Sequence, residues 1–522
     1  MAMKLTVEQI LARHKVAQNK KEDFRALYED AMEFALPQRN LYTGDYESRV
    51  GGRQKMSRVF DSTAINSTQR FANRLQSGIF PPQRKWCRLE PGSDIPADRR
   101  TEAQTVLDLY NEKMFAVLKQ SNFDIAMGEF LLDLSVGTAV MLVQPGDAVS
   151  PINFIPVPQY LVSFEEGANG QVDNVYRKMR VKGESITQQW KDASIPDELA
   201  KQIENKPTED IDLIEATIYD YKRGDYCYHV IHAGSKSELV YRRNKTSPWV
   251  VSRYMKVAGE IYGRGPVLTA LPDIKTLNKT LELLLKNASL AITGVYTAAD
   301  DGVLNPATVR ITPGAIIPVA RNGGPQGEAL KPLPRAGDFN VSQIIINDLR
   351  QNIKRTLLDE SLPPDNMSAR SATEVVERMK ELAQNLGSAF GRLINETMIP
   401  LVAKILEVMD QAGIIDMPLR VNGLEVKVSP VSPLAMAQNL DEINNIMQFM
   451  QIAQGLGPEG QMAIKPGAAA DYIADKLGVP ASVRAGPEER AAMMQQMAAA
   501  AQQAQQMQMM QAAEGAPMEA AA

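Results

Sequence analysis

Two stretches with helical spacing flank a segment dense in proline and glycine, and this pairing constrains the fold more than any other feature of the sequence. In the first stretch, from Pro266 to about Ile292, Leu268, Leu271, Ile274, Leu277, Leu281, Leu284, Ala288 and Ile292 recur at intervals close to one helical turn. A second such run goes from Phe339 to Leu358. Between them, Asn305-Pro306, Thr312-Pro313-Gly314, Gly323-Gly324-Pro325 and Pro332-Leu333-Pro334 break any continuous element. They predict short strands and turns at the tip of a helical hairpin. Both rods carry charge outside their apolar stripe, at Lys275, Lys279, Glu282, Lys286, Asp348, Arg350, Lys354 and Arg355. A hairpin of this kind buries little on its own, so neighbouring copies are expected to cover it. Head-to-tail contacts that close into a ring would satisfy every such interface.

A chain of 522 residues exceeds one ordinary core and predicts two to four domains, or one domain with long insertions. With 44% hydrophobic and 23% charged residues the composition is that of a globular protein. No apolar run reaches the roughly 18 residues that span a bilayer, so no membrane partner is expected. The N-terminus enters a polar helical pattern directly and does not read as a signal peptide. Two cysteines, Cys87 and Cys227, cannot staple the fold and suit a reducing cytosol. Net charge is −5, from 57 basic against 62 acidic residues, which excludes a protein that coats nucleic acid through its whole surface. Any DNA contact must be local. Such a surface suits a protein that DNA slides past, and equally suits a cytosolic enzyme.

Elsewhere, helices are predicted over residues 5 to 36, where Thr6 and Gln9 have capping-box spacing, and over Ser62 to Gln76, 98 to 120 and 123 to 136. From about 138 to 258 the period falls to two, with strands at Thr138 to Val143, Val172 to Val181, Ile211 to Tyr221 and Asp225 to Ile231. Pro145-Gly146, Gly167, Gly170 and Gly224 punctuate them, predicting a small barrel or curled sheet. Leu362-Pro363-Pro364 breaks the helical pattern, and Ser371-Ala372-Thr373-Glu374 restarts it toward about Gln411. Gly387, Gly391 and Pro400 are expected to bend or kink that helix. A strand-like run, Leu419 to Val428, precedes more helix to about Leu477, and beyond Pro487 the chain is almost all Ala, Gln and Met.

Catalytic chemistry finds no footing. Gly234-Ser235-Lys236-Ser237 lacks the glycine spacing of a phosphate loop, and Gly263-Arg264-Gly265-Pro266 has a proline after its last glycine and no βαβ unit around it. Strand alternation puts Cys227 and His229 on one face and His232 on the other, which disfavours a metal site. His14 is no better placed for acid–base work. Arg223-Gly224-Asp225 falls between two strands and reads as a hairpin turn. Phe80-Pro81-Pro82 and Trp86 read as packing. No catalytic residue, metal or cofactor is predicted.

Several segments nevertheless resemble, in order and spacing, the head-to-tail connector, or portal, family of short-tailed T7-like bacteriophages. They are Phe60-Asp61-Ser62-Thr63-Ala64 with Pro81-Pro82 and Trp86; Phe130 to Ala139; Glu260-Ile261-Tyr262-Gly263-Arg264-Gly265-Pro266 with Leu271-Pro272-Asp273-Ile274; and Ala372-Thr373-Glu374-Val375. The resemblance implies an α+β, mostly helical portal fold. Its parts would be a wing over 1–265 with a small SH3-like β subdomain, stem helices at 266–293 and 339–361, and a clip at 294–338. A channel loop at 362–371, a long kinked helix and strand over 372–430, a helical crown over 431–486 and an Ala/Gln/Met-rich tail over 487–522 would complete it. The resemblance further implies a ring of twelve copies at the head–tail junction of a virion, assembled in the host cytoplasm. Its partners would be double-stranded DNA, the terminase packaging motor, the major capsid and scaffolding proteins, and a tail adaptor. Channel contacts would then fall to Arg370, Lys354, Arg350 and Lys286, with Pro363, Pro364, Asp365, Asn366 and Met367 forming the channel loop. Arg310, Arg321, Lys331 and Arg335 would meet the adaptor or terminase. Two rivals are a virion scaffold or adaptor that forms no ring, and a divergent hydrolase, which would need a tight carboxylate cluster in a pocket.

Overall fold

The computed structural model describes residues 5–39, 58–82, 84–96, 99–147, 149–293, 296–298, 330–332, 339–359, 386–416, 421, 424–456, 465–476, 489, 492–493 and 495–496. In chain order the elements are α1 (Val7–Ala35), α2 (Thr63–Ile79), β1 (Cys87–Pro91), α3 (Arg100–Gln120), α4 (Phe123–Val136), β2 (Thr138–Pro145), β3 (Ile152–Pro156), β4 (Val162–Glu166) and β5 (Val172–Lys182). Then come α5 (Gly183–Gln189), α6 (Asp197–Asn205), β6 (Asp210–Asp220), β7 (Asp225–His232), β8 (Ser237–Asn244), β9 (Trp249–Arg253) and α7 (Pro266–Thr293). The remainder are β10 (Tyr296–Ala298), β11 (Leu330–Pro332), α8 (Phe339–Thr356), α9 (Ser388–Leu393), α10 (Ile399–Gln411), β12 (Val426–Pro430), α11 (Pro433–Gly455) and α12 (Pro466–Lys476). The chain divides into two compact units. The first comprises Met1–Trp86, Met114–Met417 and Ser432–Ala437; the second comprises Cys87–Lys113, Pro418–Val431 and Gln438–Ala522.

In the first unit α1 begins where local chemistry says it should. The Gln9 amide donates to Thr6 Oγ1 at 3.3 Å and the Thr6 amide donates back to Gln9 Oε1 at 3.0 Å, so two donors that a helix start leaves orphaned are satisfied. One face of α1 then buries Ile10, Ala17, Tyr28 and Ala31. The same face buries His14. His14 packs its ring 5.8 Å from that of Tyr176, and burial with Lys21 and Lys178 nearby lowers its pKa to about 4. A base with a depressed folded-state pKa stabilises the fold above its unfolded value of 6.5, and that contribution is lost as pH falls toward 4. Unfolding free energies from urea titrations at pH 7 and pH 4.5 are expected to differ more for the wild type than for His14→Gln, by on the order of 3 kcal/mol. Equal differences in the two proteins would refute the assignment.

The expected β region is present but is divided between two sheets. β2 lies between β3 and β9, and β4 to β8 form a five-stranded antiparallel meander with β4 and β8 as its edges. The strands expected at Thr138 to Val143, Val172 to Val181, Ile211 to Tyr221 and Asp225 to Ile231 are thus all present, distributed over these two sheets. β2, whose residues Thr138 to Val143 are all buried, is the central strand of its sheet, with Met141 opposite Pro156 of β3 and Val250 of β9. The turns behave as the glycines predict. Gly170 (φ +74°) joins β4 to β5, and Gly224 (φ +70°), in Arg223-Gly224-Asp225, joins β6 to β7.

α7 and α8 pack on each other, with β10 and β11 paired antiparallel beyond them. Ile274, Leu277, Ile346, Ile353 and Leu357 enter a core shared with Tyr28, Trp249 and Tyr262. Helix α8 stops at Thr356, short of the expected 361. The Leu358 amide bonds Arg355 O at 3.0 Å and the Asp359 amide bonds Lys354 O at 2.7 Å, which is a Schellman cap. Leu358 occupies its left-handed position (φ +53°), where glycine is usual. The helix predicted to run on to Gln411 is broken at Gly387 (φ +47°) and passes from α9 through a π-helical turn, Ile394–Met398, into α10. That turn precedes Pro400, which lacks the amide an α-helix needs there.

In the second unit β1 and β12 pair antiparallel, Leu89 opposite Val428. Arg88, 5% exposed, bonds Asp108 through Nε and a terminal nitrogen at 3.2 and 3.3 Å, tying β1 to α3. Glu442 of α11 receives Lys476 and Tyr472 of α12 at 2.8 and 3.0 Å.

Candidate functional site: the helical hairpin and its root

α7 begins with Pro266 at its first position, where a missing amide costs nothing. The root just before it is built from two of the segments that carry the resemblance, Phe130 to Ala139 and Glu260 to Pro266. The Gly265 amide donates to Val136 O at 2.8 Å, the Gly263 amide to Thr138 Oγ1 at 2.8 Å, and the Tyr28 hydroxyl to Gly263 O. A Cβ at Gly263 or Gly265 would fall inside contact distance of the carbonyls of Gly137 and Ser135 respectively. Glycine is required because backbone meets backbone.

Beside the root, Arg253 at the end of β9 is 1% exposed. Its guanidinium reaches Glu396 Oε1 at 2.7 Å, Gly170 O at 2.9 Å and Glu166 at 3.3 Å, and its amide donates to Glu396 Oε2 at 2.9 Å. Glu396 sits in the middle of the π-helical turn, which therefore aims a carboxylate at the buried Arg253 guanidinium.

The hairpin is fastened to α2 along its length. Asn278 Oδ1 accepts from the Phe60 and Asp61 amides at 2.7 and 3.0 Å. Arg350 donates to Asp61 Oδ2 at 2.7 and 3.0 Å. Burial pushes the Asp61 carboxyl up, but hydrogen bonds from Thr63 and Arg350 outweigh it and hold the group below its ordinary value. At the far end Asp359, 2% exposed, accepts from Ser67 Oγ at 2.7 Å and Arg70 at 3.2 Å, while Arg74 bonds Leu358 O.

Toward the tip the hairpin is bare. Leu283 and Leu285 of α7 are 50% and 53% exposed, and Ile344 and Ile345 of α8 are 69% and 47% exposed. Around them Glu282 bonds Lys286 at 2.6 Å and Lys279 at 2.9 Å, and these two ammoniums lower its pKa to about 2.

Of the residues named from the sequence, Lys286 is thus exposed and paired with Glu282, Lys354 is half-buried on α8, and Arg350 is committed to Asp61. Lys331 falls in β11. Arg370, Pro363, Pro364, Asp365, Asn366, Met367, Arg310, Arg321 and Arg335 lie outside the described residues. Cys227 and His229 do share a face of β7, but the His229 ring bonds Glu238 at 2.7 Å and the His232 ring bonds Ser235 at 2.7 Å. Asp220, Asp225 and Cys227 converge within 4.8 Å, and Arg243 fills the middle of that group, 3.0 Å from Asp220 and 2.8 Å from Asp225. The buried carboxyls Asp133 and Glu215 stand apart, facing Arg39 and Arg177, and burial raises Asp133 to about 6. Among the described residues no helix is long and apolar enough to cross a membrane.

Comparison with known proteins finds related chains. The chain is 23% identical to the probable portal protein of Bordetella phage BPP-1, over 90% of this chain and 87% of that one. It is 20% identical to the portal protein of Escherichia phage T7, over 74% of this chain and 72% of that one. A chain from the virion of a native gene transfer agent particle overlays with a TM-score of 0.32 at 13% identity, covering 84% of this chain and 91% of that one. The family described as bacteriophage head to tail connecting protein matches residues 7–484, a span that takes in the root, the hairpin and both units, and the chain belongs to that family.

Proposed function

We propose that this chain is a subunit of a portal ring at the head–tail junction of a virion, a conduit for double-stranded DNA during packaging, retention and ejection. Family membership supports the connector role, and neither the non-ring scaffold nor the hydrolase is favoured by it. The observation that carries the ring is the bare apolar tip. Leu283, Leu285, Ile344 and Ile345 project from a hairpin whose inner face is already filled by its own chain, so their cover must come from a neighbouring copy. We take α7 and α8 as the stem, residues 294–338 as the clip and 362–371 as the channel loop. The ring is proposed to hold twelve copies. Lys286, Lys354 and Arg370 are proposed to offer sparse phosphate contacts, with Arg350 contributing a charge that Asp61 already partly neutralises. Arg310, Arg321, Lys331 and Arg335 are proposed to face the tail adaptor or the terminase, and the outer surface to face capsid and scaffolding proteins.

The mass of purified particles tests the reading. The wild type is expected as a large closed oligomer, and Leu285→Asp with Ile345→Asp is expected to shift most chains to monomers, because a charge desolvated in that contact costs several kcal/mol in every interface. A wild type that ran as a compact monomer would overturn the ring.

A further inference from the structure

The second half of α11 carries a feature that the hairpin does not explain. From Ile443 to Pro458 there is no Asp, Glu, Lys or Arg. Within this stretch Ile443 and Ala453 are buried and Ile446 and Met450 half-buried, so one side of the helix is covered by its own chain. Phe449, Ile452 and Leu456 are 54%, 64% and 71% exposed. With Asn445 they are spaced four, three and four residues apart, the heptad spacing of a helix–helix seam. The Leu456 amide still bonds Ile452 O at 3.1 Å, so helical geometry holds to the end of the stripe. A second exposed face, Asn444, Met447, Gln451 and Gln454, repeats at three, four and three.

At about 100° per residue these two faces point about 150° apart around the helix axis. The covered side bisects the wider arc between them, and the exposed Gln448 lies within the narrower one. We propose that this half of α11 is a contact between copies of the chain, in which Phe449, Ile452 and Leu456 of one copy seat against Met447, Gln451 and Gln454 of the next. The occupant is a second copy because every group involved is self-compatible. Asn and Gln amides both donate and accept, and the absence of charge removes the like-charge repulsion that identical neighbours would otherwise meet. Different faces in contact make the interface heterologous, and an angle of about 150° is the internal angle of a polygon of about twelve members. The covered side then faces outward, against its own subunit, and Gln448 faces the hole. This contact rests on the ring reading and adds a second, independent interface to it.

Disulfide trapping in the full-length protein tests the contact, with Cys227→Ser to silence the half-exposed native thiol. Gln451→Cys with Ile452→Cys is expected to give, on mild oxidation, a ladder of covalent oligomers up to the closed ring; Ile452→Cys alone is expected to give none. Dimers from the single variant would overturn the proposal by showing that like faces meet. A ring of unchanged mass with no ladder would overturn it while leaving the ring standing, and a monomeric wild type would remove both. A ladder that formed only after residues 487–522 were deleted, with the ring mass retained, would assign the stripe to the Ala/Gln/Met segment and overturn it too.

Discussion

Glu396→Ala is expected to lower the free energy of unfolding by about 3–5 kcal/mol, because it leaves the Arg253 guanidinium buried with its main counter-charge removed. The remaining partners, Gly170 O and Ile261 O, are neutral, and Glu166 is shared with Lys256. The same deletion frees the Arg253 amide, which Glu396 also caps. Arg253→Met combined with Glu396→Leu is expected to recover most of the loss, since apolar groups of similar size fill the site without charges to desolvate. Chemical denaturation of the three variants reads the cycle directly. A single-variant cost below about 1 kcal/mol would show that water enters the site and that the pair behaves as a surface contact.

Gly265→Ala is expected to be nearly as damaging, at about 3 kcal/mol or more. Its Cβ would be driven into Ser135 O, and relief requires α7 and α4 to separate and break the Gly265 to Val136 bond. Backbone on both sides leaves nothing that can rotate away. Gly391→Ala, in α9 with no atom within 4 Å of its added carbon, is the matched control and is expected to stabilise by up to about 1 kcal/mol. Thermal unfolding of both checks the argument. If Gly265→Ala melted with the control, the close approach at the root would be wrong.

What the sequence revealed follows from the range of the interactions. Helix starts and hairpin turns were legible because their chemistry is local: Thr6 and Gln9 are three residues apart, and Gly170 and Gly224 sit where a turn needs a positive φ. The hairpin was legible from periodicity, which also ended its second rod at Leu358; the left-handed conformation of that leucine was not. A leucine in the left-handed region is held there by Ser67, Arg70 and Arg74, which are remote in the chain. The pairings β1 with β12 and β2 with β9 were likewise hidden, because a short apolar run does not name its partner. The helical pattern placed Arg350 outside the apolar stripe of its rod, and only the fold shows Asp61 against it. The glycines of the root stood out as motif letters, while the reason for them, one backbone resting on another, needed both segments in space.

The fastening of α8 to α2 has a mechanical consequence. Arg350 of α8 holds Asp61 just before α2, and Asp359 just past α8 holds Ser67 and Arg70 of α2, so α8 cannot slide along α2 without straining both grips. Strain arriving at either helix is thereby shared with the other, and the pair yields as one beam instead of two independent rods.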